Sequence, residues 1–130
     1  MVSGSNPVPD GSDLLRIVAE LETALRQSAE LPDRGDNADR KAAVALRRRM
    51  AEQIAAAAEA GELLFGALSR RSEFRSRISR MRTVMALHQA SYPIVSIDRR
   101  DPAYRASVAA LRAANEGFFK WVRTELARME

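Results

Sequence analysis

The sequence predicts an all-α fold, an antiparallel up-down-up-down four-helix bundle, on three observations. Ala, Leu, Arg and Glu dominate its 130 residues, and those side chains lose little rotamer freedom in a helix. Apolar residues recur at spacings of three and four along four segments. The connections between successive segments are short, which makes neighbouring helices antiparallel. At this length one domain, residues 12–130, can bury a core without disulfides or a structural metal.

Residues 1–11 contain Gly4, Pro7, Pro9 and Gly11 and read as a flexible leader. The first helix spans about 12–30, with Ser12 or Asp13 as its cap. Leu14, Ile17, Leu21 and Leu25 lie on one of its faces. Pro32 ends it by disfavouring the helical conformation of Leu31. After the PDRGDN loop, Asp36 or Asn37 caps the next helix. No proline interrupts Ala38–Ser91, yet one helix of that length would reach about 80 Å at 1.5 Å per residue. The apolar register places a break. Met50, Ile54, Ala57, Gly61, Leu64 and Leu68 form one series, and Phe74, Ile78, Met81, Met85, His88 and Tyr92 form a second. Continuing the first in phase would turn Arg71 and Arg75 inward, so a turn near Gly66–Ser72 separates helices of about 37–68 and 72–91. Ser72 is then the expected cap, with Glu73 favouring the N-terminal end. Tyr92-Pro93 ends the third helix, and IVSIDRRD is a loop with some extended character. Asp101-Pro102 starts the fourth helix, about 102–129, as an N-cap acceptor followed by proline at the first helical position. Tyr104, Val108, Leu111, Phe118, Val122 and Met129 mark its buried face.

Composition excludes several classes of function. The chain has no cysteine, hence no disulfide framework or thiolate chemistry. The N-terminus lacks the basic and apolar regions of a signal peptide. No apolar run approaches the roughly 20 residues of a membrane span. These features point to a cytoplasmic protein without membrane association. The net charge is +4 and is carried almost wholly by arginine, since Lys41 and Lys120 are the only lysines. Such an excess is compatible with nucleic-acid binding, but arginine on solvated helix faces accounts for it equally.

The candidate sites are few. His88 is the only histidine and falls on the inward face of the third helix, where a hydrogen-bonded core residue is the expected role. It has no sequence-local carboxylate or second histidine to make it a ligand or general base. Solvent-facing phosphotransfer is likewise unexpected for a residue aligned with Met85 and Tyr92. A dimetal carboxylate site needs Glu-x-x-His, and position 85, three before His88, is Met. Glu59 and Glu62 flank the apolar stripe and can pair with arginines. Asn115 and Glu125 fall within the apolar series of the fourth helix. The edge of its face is the expected position; burial would make them, with His88, a candidate internal polar site. Arg47, Arg48, Arg70, Arg71 and Arg80 form the candidate basic surface. On the third helix Arg75 and Arg82 flank the inward face on one side and Arg77 on the other, while Arg80 points away. That distribution suits arginines lying along a buried face, whereas nucleic-acid binding favours one continuous stripe with interleaved aromatics. Glu73 and Arg77 form an i,i+4 pair. Trp121 is expected to pack at a bundle end or at a subunit contact.

With the segments placed, residues 12–130 resemble a hemerythrin-like (HHE-type) bundle that has lost its metal ligands. The family pattern His-x-x-x-Glu-Asp-x-x-Leu-Tyr-Pro-x-Leu aligns without gaps on AAAAEAGELLFGAL. Ala56 then stands where the His would be and Ala60 where the Glu would be, and Leu64, Phe65, Gly66 and Leu68 fall on the closing motif. The family's Asp-His opening is Asp13-Leu14 here, and its His-x-x-x-Glu looks like Trp121-x-x-x-Glu125. The resemblance implies the fold but no iron or oxygen binding, because the family's di-iron site draws on several histidines.

The functional expectation is a non-catalytic, metal-free protein-interaction or regulatory module without a cofactor, its partner another protein or a second copy. An exposed apolar patch at Trp121 or Phe119 would support it. A small-molecule-binding bundle is the first alternative, using space left by Ala55–Ala58 or a pocket lined by His88, Asn115 or Glu125. Nucleic-acid binding through the arginine-rich faces is the second. An enzyme is not expected, because no nucleophile–base pair or metal constellation assembles from the sequence.

Overall fold

The computed structural model describes residues 11–31, 37–66, 68–94 and 97–129, apart from the side chain of Leu68. It contains four helices, α1 (Gly11–Glu30), α2 (Asn37–Leu64), α3 (Leu68–Ser91) and α4 (Pro102–Arg128), and no strand among the described residues. Helix α1 packs most extensively on α2 and α3 on α4, with lighter contact of α2 with α3 and of α1 with α4. These are the contacts of a four-helix bundle. Side chains fix several of the directions. Gln53 donates to Glu20 across α1 and α2. Arg75 reaches Glu62 near one end of the α2–α3 pair, and Arg47 reaches the Tyr92 carbonyl at the other. Phe74 meets Phe118 while His88 meets Ser107. These pairings agree with an up-down-up-down path.

The start of α4 follows from two residues. Asp101 is the N-cap, its carboxylate accepting from the Ala103 N–H at 3.0 Å, and Pro102 occupies the first helical position, where its missing N–H costs nothing. At α1 the helix already includes Gly11, so Ser12 and Asp13 lie in its first turn instead of capping it. Asp13 there faces Arg16 at 3.8 Å. Asn37 is the first residue of α2, and the other expected cap, Asp36, lies outside the described residues, as does the leader through residue 10.

Helix α2 ends at Leu64 and α3 begins at Leu68, so the break lies at the early edge of the expected interval. Phe65 stands at the break. Its side chain is 1% exposed, and its N–H closes the last turn of α2 on the Gly61 carbonyl at 2.9 Å. The helix therefore ends at Leu64, four residues before the end expected from Leu68. Helix α3 consequently begins at Leu68, and Ser72 sits exposed inside it, not at its cap.

The two ends of the bundle are filled differently. At the α2–α3 turn the rings of Phe65, Phe74, Phe118 and Trp121 stack with centroid separations from 5.2 to 6.2 Å. Aliphatic side chains including Leu14, Val18, Leu21, Ile54, Met81 and Val122 continue the core from there. Toward the α3–α4 loop large apolar side chains no longer close the interior. Tyr104, Val108 and Leu111, expected to be buried, are only half-buried, and Met129 is exposed.

A candidate internal binding site

At that end lies a cavity of about 560 Å³. Its apolar wall includes Leu25 from α1, Met50 from α2, Met85 from α3, and Leu111 and Phe119 from α4, with Ile94 and Ile97 from the α3–α4 loop. Three polar side chains face it from deeper positions: Arg47, His88 and Asn115. Exposed Arg26, Arg40, Arg112 and Glu116 stand around the opening. The mixture of an apolar wall with a few convergent polar groups is that of a small-molecule site.

Asn115 is 4% exposed, so it lies in the interior and not at the face edge expected for it. Its Oδ1 is buried and accepts no hydrogen bond. An unsatisfied buried amide oxygen costs about 1–3 kcal/mol, and no neighbour among the described residues repays it.

His88 shares a 2.7 Å hydrogen bond through Nδ1 with the Ser107 hydroxyl. Its ring lies 5.5 Å from both Tyr92 and Tyr104, which meet each other edge to face at 5.2 Å. Burial first, and then the positive charge of Arg47, hold the imidazole below its ordinary value of 6.5, so it is neutral at pH 7. The Ser107–His88 pair was not legible from the sequence, because its members are separated by a loop and lie on different helices. One signal was present: Ser107 stands three after Tyr104 and four before Leu111, on the inward face of α4. The separation is that of a nucleophile and a base, but the electrostatics oppose the role. A base that takes a serine proton becomes imidazolium, and the charge nearby is that of Arg47, not of an orienting carboxylate.

Arg47 is half-buried and donates from Nη2 to the Tyr92 carbonyl at 2.8 Å. Burial lowers its pKa, partly opposed by the Tyr104 phenol. No carboxylate among the described residues pairs with it.

The other sequence candidates lie elsewhere. Glu125 is buried but belongs to the opposite end of α4, where it faces Arg70 at 3.7 Å and Arg128 at 3.2 Å; it shares no site with His88 and Asn115. The candidate basic surface does not form one patch. Arg47 lines the cavity, Arg70 pairs with Glu125, Arg71 is half-buried with its Nε unbonded, and Arg48 and Arg80 are exposed on different helices. Arg77 pairs with Glu73 at 2.9 Å, as expected, and also lies over the Trp121 ring. The exposed apolar patch at Phe119 or Trp121 that would support a docking role does not form: Phe119 is 4% exposed and Trp121 is half-buried in the aromatic cluster. Ala55–Ala58 do not line the cavity, and Ala57 is fully enclosed. At the hemerythrin-like ligand positions Ala56, Ala60 and Trp121 pack against the core.

Among the described residues no group of three or more His, Asp or Glu side chains could hold a metal ion, and no helix is long and apolar enough to cross a membrane. No family model, curated protein or solved structure matches the chain.

Proposed function

We propose that this protein is a non-catalytic, cytoplasmic helical bundle that binds a small amphipathic molecule in the cavity at its α3–α4 loop end. What carries this reading is the cavity itself, about 560 Å³ with a largely apolar wall and the side chains of Arg47, His88 and Asn115 in its lining. A mere packing defect is expected to be apolar throughout, whereas here a few polar groups converge on the space. A ligand with an apolar body and one polar group restores the packing that the wall lacks.

This role takes precedence over a protein-docking module because of where the apolar surface lies. The large exposed apolar side chains Leu15, Val44, Leu63 and Leu87 are spread over three helices, and Val44 and Leu63 stand nearly 30 Å apart along α2 at 1.5 Å per residue. Single exposed apolar residues are ordinary surface. The hemerythrin-like pattern enters as a proposal about descent, a bundle kept after its ligands were lost; the end of α2 at Leu64, within the closing part of the aligned motif, supports it.

A thermal-shift screen of small amphiphiles against the wild type and Leu111→Trp tests the reading. The substituted ring occupies the cavity, so compounds that stabilise the wild type are expected to leave the variant unmoved. Equal stabilisation of both proteins contradicts an internal site. Stoichiometric iron or zinc in untagged protein would sink the metal-free part of the proposal.

A further inference from the structure

We propose that Arg47 is the anion-recognising element of the cavity and that the ligand is a small amphipathic monocarboxylate, its carboxylate on the Arg47 guanidinium and its apolar part against Met50, Met85, Leu111 and Phe119. The inference rests on the ligand-binding reading above and adds the chemical class of the ligand.

Arg47 differs from the arginines that hold this surface together. Arg16, Arg70, Arg75, Arg77, Arg123 and Arg128 each face a carboxylate. Arg47 faces none among the described residues, although it is less solvated than most of them, and its one hydrogen bond among those residues goes to the neutral carbonyl of Tyr92. A guanidinium taken partly out of water without a counter-charge is an unfavourable arrangement, and a bound anion is the direct way to relieve it. The Tyr92 carbonyl takes up one donor, and the guanidinium, which lines the cavity, carries further N–H donors. A planar carboxylate matches that fork.

Other head groups fit less well. A neutral amphiphile leaves Arg47 unpaired, and an ammonium is repelled by it. A phosphate monoester carries up to two charges at neutral pH, but the cavity's other arginines at the α1, α2 and α4 rim, Arg26, Arg40 and Arg112, are exposed to water. Arg99, half-buried in the same lining, already donates to the Ala29 and Leu31 carbonyls, and His88 is neutral. The apolar wall and a volume of about 560 Å³ suit the remainder of a small lipid-like acid.

Isothermal titration of the full chain with decanoate, decanol and decylamine, which share a chain and differ in head group, tests the inference. Wild type is expected to bind decanoate at least tenfold more tightly than decanol, with decylamine weaker still. Arg47→Gln should bring decanoate to the level of decanol, and Arg47→Lys, which keeps the charge but not the fork, should retain part of the preference. NMR of the single histidine supplies a readout that does not depend on either variant folding. Decanoate, by neutralising Arg47, is expected to raise the His88 pKa, while decanol leaves it in place. Decanol binding as tightly as decanoate, or Arg47→Gln keeping the decanoate preference, overturns the assignment and leaves the ligand-binding reading standing. Failure of all three compounds to bind overturns both.

Discussion

Gly61 and Gly66 lie five residues apart at the end of α2, and the same substitution should separate them. A Cβ on Gly61 would fall 2.0 Å from Cζ of Phe74, a ring held at 1% exposure within the aromatic cluster, whereas a Cβ on Gly66 meets nothing within 4 Å. Alanine favours a helix interior by up to about 1 kcal/mol over glycine, so propensity alone would make Gly61→Ala stabilising. Overpacking decides the sign: we expect a net loss of about 1–3 kcal/mol, read as a fall in Tm of several degrees. Gly66→Ala should stay within about 0.5 kcal/mol. Asn115 presents the opposite case. Asn115→Leu removes an unsatisfied buried acceptor while keeping a γ-branched shape, and is expected to stabilise the ligand-free protein by roughly 1 kcal/mol, checked by chemical denaturation. His88 sets a pH dependence. Its imidazole titrates below 6.5 when folded and near about 6.5 when unfolded, so between those values the unfolded chain binds more protons. Stability from this residue is therefore present above about pH 6.5 and is lost as the pH falls toward the lower folded value. The difference between wild type and His88→Gln in urea melts at pH 7.5 and 5.5 isolates that contribution from the carboxylates.

At the scale of elements, helix periodicity and two short signals made most of the fold legible. Asp101-Pro102 marked the start of α4 because capping chemistry is local to three residues, and Asp101→Ala should cost about 1 kcal/mol, visible as a lower denaturation midpoint. The phase conflict at Arg71 and Arg75 located the α2–α3 break to within a few residues. The packing at the break, where Phe65 meets Phe74 and Trp121 across the bundle, is a contact that no local pattern contains. The same limit applied to the site. Arg47 was read as part of a basic surface because α2 is arginine-rich, and only the position of Tyr92 after α3 turns it toward the interior. Asn115 was assigned to a face edge and Ser107 was not singled out, since which half of α4 is sealed and which is hollow depends on how the four helices meet. Arg99 belongs to that loop end too: it donates to the carbonyls of Ala29 and Leu31, tying the α3–α4 loop over the end of α1, where a cation suits the helix dipole.

For the molecule as a whole, the two ends of one bundle divide the work. Interlocked rings around Gly61 anchor the α2–α3 end, and the α3–α4 end leaves apolar wall and two under-satisfied polar groups, Arg47 and Asn115, around open space. Local inconsistency of that kind in an otherwise consistent sequence is where function is expected. A ligand confined to the folded state adds RT ln(1 + [L]/Kd), about 2.7 kcal/mol at a hundredfold excess over Kd, so decanoate should raise Tm by several degrees and the increase should grow with its concentration. The measurement that tests the central claim most directly is the methionine methyl spectrum during a decanoate titration. Met50 and Met85 line the cavity, Met81 is enclosed in the core away from it, and Met129 is exposed. The account predicts saturable shifts at Met50 and Met85 with Met81 and Met129 unmoved; a response confined to Met129, or none that saturates at Met50 and Met85, would contradict it.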